Sequence, residues 1–208
     1  MYFNRKCKIT FISHGATIYS EENRFSDVEN YPQLSDFGQE EMERICEFLK
    51  NRGVKNDVIY SSNSARAIQS AKMVAKLYKK DINIIDELKP RKCGKLANMT
   101  QSQAEIRCPE FLKLWYTFSD YDENLEAEPI KDFVNRVDST IKTIVNKNIG
   151  NRVIIVTYPD VIQAAIAVAV GIPYENISKI FIKTGSATQI SYYDNFNSLI
   201  YSDYKPVY

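Results

Sequence analysis

Histidine is nearly absent from this chain of 208 residues, which holds one, His14. Chemistry that needs a pair of imidazoles is thereby excluded. Cysteine is sparse and scattered: Cys7, Cys46, Cys93 and Cys108 form no C-x-x-C pair, so their spacing supports neither a zinc site nor a disulfide framework. Free thiols in a reducing compartment fit that pattern. Net charge is small, with 27 Lys and Arg against 26 Asp and Glu, and +1 offers no field to draw nucleic acid or a membrane surface. Long hydrophobic runs are lacking too. The longest, Val153 to Ile172, is interrupted by Tyr158, Pro159, Asp160 and Gln163, which leaves too little for a bilayer span. The opening MYFNRKCKITFIS has a short apolar segment and no small-residue cleavage site, so it does not read as a secretory signal, and a cytoplasmic location is expected. No internal repeat or low-complexity tract is visible, and neither a metal nor a cofactor is expected.

What the chain does have is an ordinary core-forming composition, 44% hydrophobic and 25% charged, over a length that suits a single domain spanning residues 1–208. The organising stretch is Lys8 to Thr17, KITFISHGAT, where an apolar, β-branched run stops at Ser13-His14-Gly15. That pattern predicts a buried strand ending in a tight turn, with the imidazole in the crevice where open α/β sheets bind ligands. A polar loop with few periodic features follows. Ser35 is then an N-cap candidate for a helix in which Phe37, Met42, Ile45, Phe48 and Leu49 share a face up to Gly53. A second strand is expected at Asp57 to Ser61, a helix through SSNSARAIQSAKMVAKLYKK, and a third brief strand at Ile82 to Ile85. Residues 101–126 are rich in aromatics and acids and predict a helical excursion over the top of the sheet. Phe133 to Val145 is amphipathic, RVIIVT at Arg152 to Thr157 is the clearest strand, and Val161 to Val170 is a mostly apolar helix ended by Gly171 and Pro173. Late strands are expected at Thr188 to Tyr193 and near Leu199 to Tyr201. Alternating strands and helices predict an α/β fold, a three-layer sandwich with a mostly parallel sheet flanked by helices.

Three strand ends then come into line, at Ser13-His14-Gly15, at Ser61-Ser62 before Arg66, and at Thr157-Tyr158-Pro159. In this order they resemble the histidine phosphatase superfamily, the phosphoglycerate mutase-like proteins. That family's first motif, Arg-His-Gly-Glu-Thr, is matched by Ser13-His14-Gly15-Ala16-Thr17. Its Arg-Phe pair and Leu-(Ser/Thr)-x-x-Gly helix start are matched by Arg24-Phe25 and by Leu34-Ser35-Asp36-Phe37-Gly38. Its second motif, Ser-Ser-x-x-x-Arg-Ala-x-x-(Thr/Ser)-Ala, runs from Ser61 to Ala71 here. Further on, a Glu eight residues before Arg-Val is matched by Glu128 and Arg136-Val137.

The resemblance implies a mechanism in which the first His attacks a phosphoryl group, two Arg and a second His hold its equatorial oxygens, and an acid protonates the leaving alcohol. Cationic donors around a phosphoryl transition state do most of that work. Three of those parts are replaced here. Ser13 stands for the first Arg, Tyr158 for the second His, and Pro90 for the acid, with Glu87 nearby but out of register. His14 and Arg66 are thus the expected catalytic pair, and Ser13, Thr17, Arg24, Arg66 and Tyr158 the expected phosphate-binding set, with Glu87 as a substitute acid. Arg24 reads equally as a pocket-rim cation or as a loop charge, and Tyr158 more as a filler than a catalyst, since a phenol is neutral at pH 7. The run Lys89, Arg91, Lys92 and Lys95 reads as a solvated face, with service to an anionic ligand as the alternative.

Three functions compete at this stage. One is a degenerate pocket that binds a phosphate-bearing small molecule or a partner with little or no turnover. The second is an active phosphomonoesterase or mutase-like enzyme working through phospho-His14, and the third is an interaction protein whose Tyr-rich acidic stretch at 115–126 docks a protein partner.

Overall fold

β4 (Arg152–Thr157) is apolar at successive positions because both of its faces are covered. It pairs in parallel with β1 (Arg5–Ser13) on one side and with β2 (Val58–Ser61) on the other. The computed structural model describes residues 4–26, 32–117 and 126–206, and their sheet has six strands in the order β3-β2-β4-β1-β5-β6. β3 (Ile82–Ile84) extends the parallel part. β5 (Ala187–Tyr193) runs antiparallel to β1, and β6 (Asn197–Tyr204) returns antiparallel to β5. The sheet is therefore mostly parallel, as expected, with one reversed strand near an edge. β6 is longer than Leu199 to Tyr201 because its remaining residues alternate in burial, a pattern too weakly apolar to read as strand until the hairpin partner is known.

Side-chain alternation along the strands divides the core in two. Ile9, Phe11, Val153 and Ile155 face α6 (Ile130–Lys147) and α7 (Pro159–Val170), while Ile12, Ile59, Ile154 and Val156 face α2 (Asp36–Asn51) and α3 (Ala65–Tyr78). This is the predicted three-layer sandwich. The expected excursion is helical where described, as α4 (Gln101–Arg107) and α5 (Pro109–Thr117), and it closes a third cluster around Cys93, Leu96 and Cys108. Most of the acidic 115–126 stretch, residues 118–125, lies outside the described residues, as does 27–31 of the first loop. Among the described residues no helix is long and apolar enough to cross a membrane.

The turn after β1 is held by an unusually close backbone approach. Ser35 caps α2 as expected, its hydroxyl accepting from the Gly38 N–H at 3.1 Å, and its own N–H donates to the Ala16 carbonyl at 3.0 Å. A Cβ on Gly15 would lie 2.2 Å from the Gly38 carbonyl oxygen, and one on Gly38 would lie 2.0 Å from the Ala16 oxygen. Gly38→Ala must push the turn off the helix and is expected to destabilise by about 3 kcal/mol, the upper end of overpacking costs. Gly53→Ala, with nothing within 4 Å of the new methyl but a φ of +56°, should cost only about 1 kcal/mol. Urea denaturation of the two variants compares them directly, and equal losses would show that the close approach carries no strain.

Candidate functional site

Three neighbouring strand ends, of β2, β4 and β1, open onto one edge of the sheet. At the end of β1 the His14 N–H donates to the Thr157 carbonyl at 2.9 Å and the His14 carbonyl accepts from the Gly185 N–H at 3.0 Å, so its backbone is tied on both sides. The imidazole Nδ1 lies 2.8 Å from the Gly15 carbonyl oxygen. A carbonyl only accepts, so Nδ1 carries the proton and Nε2 keeps its lone pair. The side chain is 5% exposed, and burial, then the Arg66 charge, lower its pKa from the ordinary 6.5 to about 3, the Gly15 bond opposing them. The imidazole is neutral at physiological pH.

Arg66 sits in the first turn of α3, whose N-cap Ser64 accepts from the Ala67 N–H at 3.3 Å. It is 2% exposed, and its guanidinium carbon lies 4.7 Å from the centre of the Tyr158 ring. The same ring meets His14 edge-on, with centroids 5.1 Å apart. Tyr158 therefore touches both expected catalytic residues. Burial raises its phenol pKa, against the Arg66 charge and the Ser64 and Ser62 hydroxyls that pull it down. Ser70 ties helix to turn, its hydroxyl donating to the Arg66 carbonyl at 2.8 Å and accepting from the Gly15 N–H at 3.1 Å.

His14, Arg66, Tyr158, Thr17 and Arg24 line one cleft of about 330 Å³. Five of the seven expected site residues thus come together. Thr17 caps the short helix α1 (Ile18–Glu21), its hydroxyl accepting from the Ser20 N–H at 3.3 Å. Arg24 reaches the rim but is engaged there, pairing with Glu22 at 2.5 Å and donating to the Asn98 carbonyl at 2.5 Å. Two expectations need correction. Ser13 is fully buried beneath the turn, its hydroxyl without a hydrogen-bond partner, and it does not line the cleft, because a serine is too short to reach past the strand end. Glu87 is exposed and lines a different groove, beside Ser139 and Thr143 of α6, because the turn that carries it projects away from the strand ends.

The structure adds two charged residues to the cleft, Arg91 and Asp160. Arg91 belongs to a run read chiefly as a solvated face, yet it is 8% exposed, with its guanidinium carbon 4.0 Å from the centre of the Trp115 ring. Burial lowers its pKa to about 10, which leaves it cationic at pH 7, and its Nε donates to the Glu128 carbonyl at 2.8 Å. Asp160 is the one carboxyl among the described lining residues. Its Oδ2 accepts from the Arg91 N–H at 2.7 Å and its Oδ1 from the Val161 N–H at 2.8 Å, and burial raises its pKa against those bonds. A partial signal was available for Arg91 in the motif that contains Glu128 and Arg136. These two form a bidentate pair, with contacts of 2.8 and 2.7 Å, and Arg136 also donates to the carbonyls of Glu87, Lys89 and Pro90. That clamp holds the segment leading to Arg91 against α6.

The chain is 26% identical over 162 residues to phosphoglycerate mutase-like protein 4 of Arabidopsis thaliana, a match covering 76% of this chain and 68% of that protein. It is 25% identical over 160 residues to the metal-independent phosphoserine phosphatase of the same plant, covering 76% of this chain and 66% of that protein. The chain thus spans about two thirds of the length of these relatives, and about a quarter of the fungal phosphoglycerate mutases it matches over shorter stretches. Among solved structures, Bacillus stearothermophilus YhfR superposes with a TM-score of 0.87 at 22% identity, covering 96% of this chain and 98% of that one. Residues 9–202 match the profile of the histidine phosphatase superfamily (branch 1), a span that runs from within β1 to within β6, and the chain belongs to that family.

Proposed function

We propose that the cleft binds the phosphoryl group of a small phosphate monoester between His14 and Arg66 and turns it over slowly or not at all. The observation that carries this reading is the combination of a neutral imidazole, its Nε2 lone pair available, with a buried guanidinium against the same tyrosine ring. A phosphate dianion gains charge-assisted hydrogen bonds there. Arg91 adds a second cation on the wall, in place of the one that Ser13 lacks.

The transition state asks for more than the ground state does. Charge spreading over three equatorial oxygens needs donors fixed around them, and the tyrosine at position 158 brings no charge. The leaving alcohol also needs a proton. Asp160, the carboxyl on the wall, has each oxygen accepting from a backbone N–H, so it acts as a brace for the turn before it acts as an acid. Each missing preorganised donor costs on the order of 10² to 10³ in rate, which supports binding over turnover. The intact nucleophile geometry favours a second reading, an active phosphomonoesterase that attacks through Nε2 of His14, with Arg91 as the replacement cation and the raised pKa of Asp160 supplying the acid. In either case the phosphate-bearing ligand is a small molecule, and no metal is called for.

Three measurements test this proposal. Because His14 is the only histidine, its Cε1–H resonance reports one imidazole, and it should not titrate between about pH 8 and about pH 5. With a folded pKa of about 3, below the ordinary 6.5, the unfolded chain takes up a proton that the folded one refuses. Folding stability from this group is therefore full above pH 6.5 and declines as pH falls toward 3. A midpoint near 6.5 would mean an open, solvated imidazole and would remove the basis of the site. Steady-state kinetics on a panel of phosphomonoesters should give kcat at least about a hundredfold below the usual value of roughly 10 s⁻¹. In the same protein, inorganic phosphate should raise Tm, and Arg66→Ala should abolish that shift. A rate near the usual value, lost in His14→Ala, would replace slow turnover with the phosphatase reading.

A further inference from the structure

A second cleft, of about 480 Å³, lies toward the opposite end of β1 from His14. Lys8 of β1 is on its wall, six residues before His14, or roughly 20 Å along a strand. Arg152 pairs with Lys8 in the β1–β4 register, and Arg52 and Lys55 approach from the turn after α2, so four cations face one volume. No carboxylate is among the lining residues, and among the described residues none of the four forms a salt bridge. Asp57 is near, its carboxylate accepting from the Arg152 backbone N–H at 2.8 Å, but it does not line the cleft. Burial, then the charges of Arg5 outside the cleft and Arg152 within it, lower the proton affinity of Lys8.

The rest of the lining differs from a simple anion site. Phe48, Tyr201 and Tyr204 pack on one another, with Phe48 and Tyr204 centroids 4.4 Å apart, and Tyr204 stays 40% exposed. The floor is polar and buried, Gln189 donating to the Thr10 hydroxyl at 3.0 Å. Such a volume suits a ligand of small-metabolite size, with a flat apolar part for the tyrosine and negative charge for the cations.

We propose that this cleft is a second ligand site, distinct from the His14 cleft, that takes a mononucleotide, its phosphates against Lys8 and Arg152 and its base against Tyr204. Four cations with no carboxylate on the wall between them repel one another, and a di- or trianion relieves that repulsion on binding. The ring of Tyr204 then adds sequence-tolerant stacking of the kind any base accepts.

The test is calorimetric titration of the full chain with ADP, without divalent metal and at low salt. ADP should bind, and Lys8→Gln combined with Arg152→Gln should weaken it by at least about tenfold, as loss of charge-assisted contacts implies. Tyr204→Ala should weaken it by about threefold or more, while His14→Ala leaves it unchanged. If the Lys8 and Arg152 pair of substitutions prevents folding, the exposed pair Arg52→Gln and Lys55→Gln serves instead, with about a fivefold loss expected. No heat with ADP up to millimolar concentration overturns the proposal. So does binding that disappears in His14→Ala while the charge variants retain it, which would assign ADP to the family cleft. The slow-turnover reading stands or falls separately, on kinetics at His14.

Discussion

The site depends on one backbone contact. The turn after β1 meets the first turn of α2 so closely that a methyl on either Gly15 or Gly38 would overlap a carbonyl of the other segment. A single buried carboxylate then stitches the surroundings together. Glu41, one turn further along α2, accepts from the Ala16 N–H at 2.8 Å and the Thr184 hydroxyl at 3.1 Å, and pairs with the Lys205 ammonium. Gly185, at φ +56°, passes the same side chain so closely that a Cβ there would lie 2.5 Å from the Glu41 Cβ, and its N–H holds the His14 carbonyl. Four stretches remote in sequence thus fix one imidazole. A buried carboxylate is costly unless paired and fully hydrogen-bonded, and here the partners come from the segments that must stay in place.

That fixation sets the tautomer, and burial sets the protonation state. An imidazole free to rotate could turn either nitrogen to the cleft, and near water it would be charged below about pH 6.5. Donation from Nδ1 to the Gly15 carbonyl selects one tautomer, and the Arg66 charge beside a buried ring opposes a second proton. The Gly15 bond by itself favours the protonated ring, so burial and then the Arg66 charge must outweigh it to keep the ring neutral, the form that retains a lone pair for nucleophilic attack.

Much of this was legible in the residues, and the gaps have physical causes. The strands and the helices α2, α3, α6 and α7 were readable because burial on one or two faces leaves a period in the sequence. His14, Arg66 and Gly38 were singled out by the motifs that carry the family resemblance, while the contact of Gly15 with Gly38 joins segments that no local pattern relates. Ser13 and Glu87 were misjudged for one shared reason. Position along the chain says which element a residue belongs to, but not how far its side chain reaches, and a serine under a strand end or a glutamate on a turn aimed at α6 falls short of the cleft. Arg91 was read mainly as surface because a cation in a basic run looks solvated, and its burial comes from α5 and the Glu128–Arg136 clamp, both distant in sequence.

Tyr158 joins the cleft to the core. At this position the family resemblance calls for a second imidazole facing the phosphate. The tyrosine instead joins the buried cluster that includes Val161, Ile162 and Leu88, and is 3% exposed. Its ring gains hydrophobic burial that an imidazole would not, so packing favours the substitution even where chemistry does not. The ring face also attracts the Arg66 guanidinium, and its contact with His14 fills the space beside the imidazole. One buried ring thus holds both His14 and Arg66 in position from the same side.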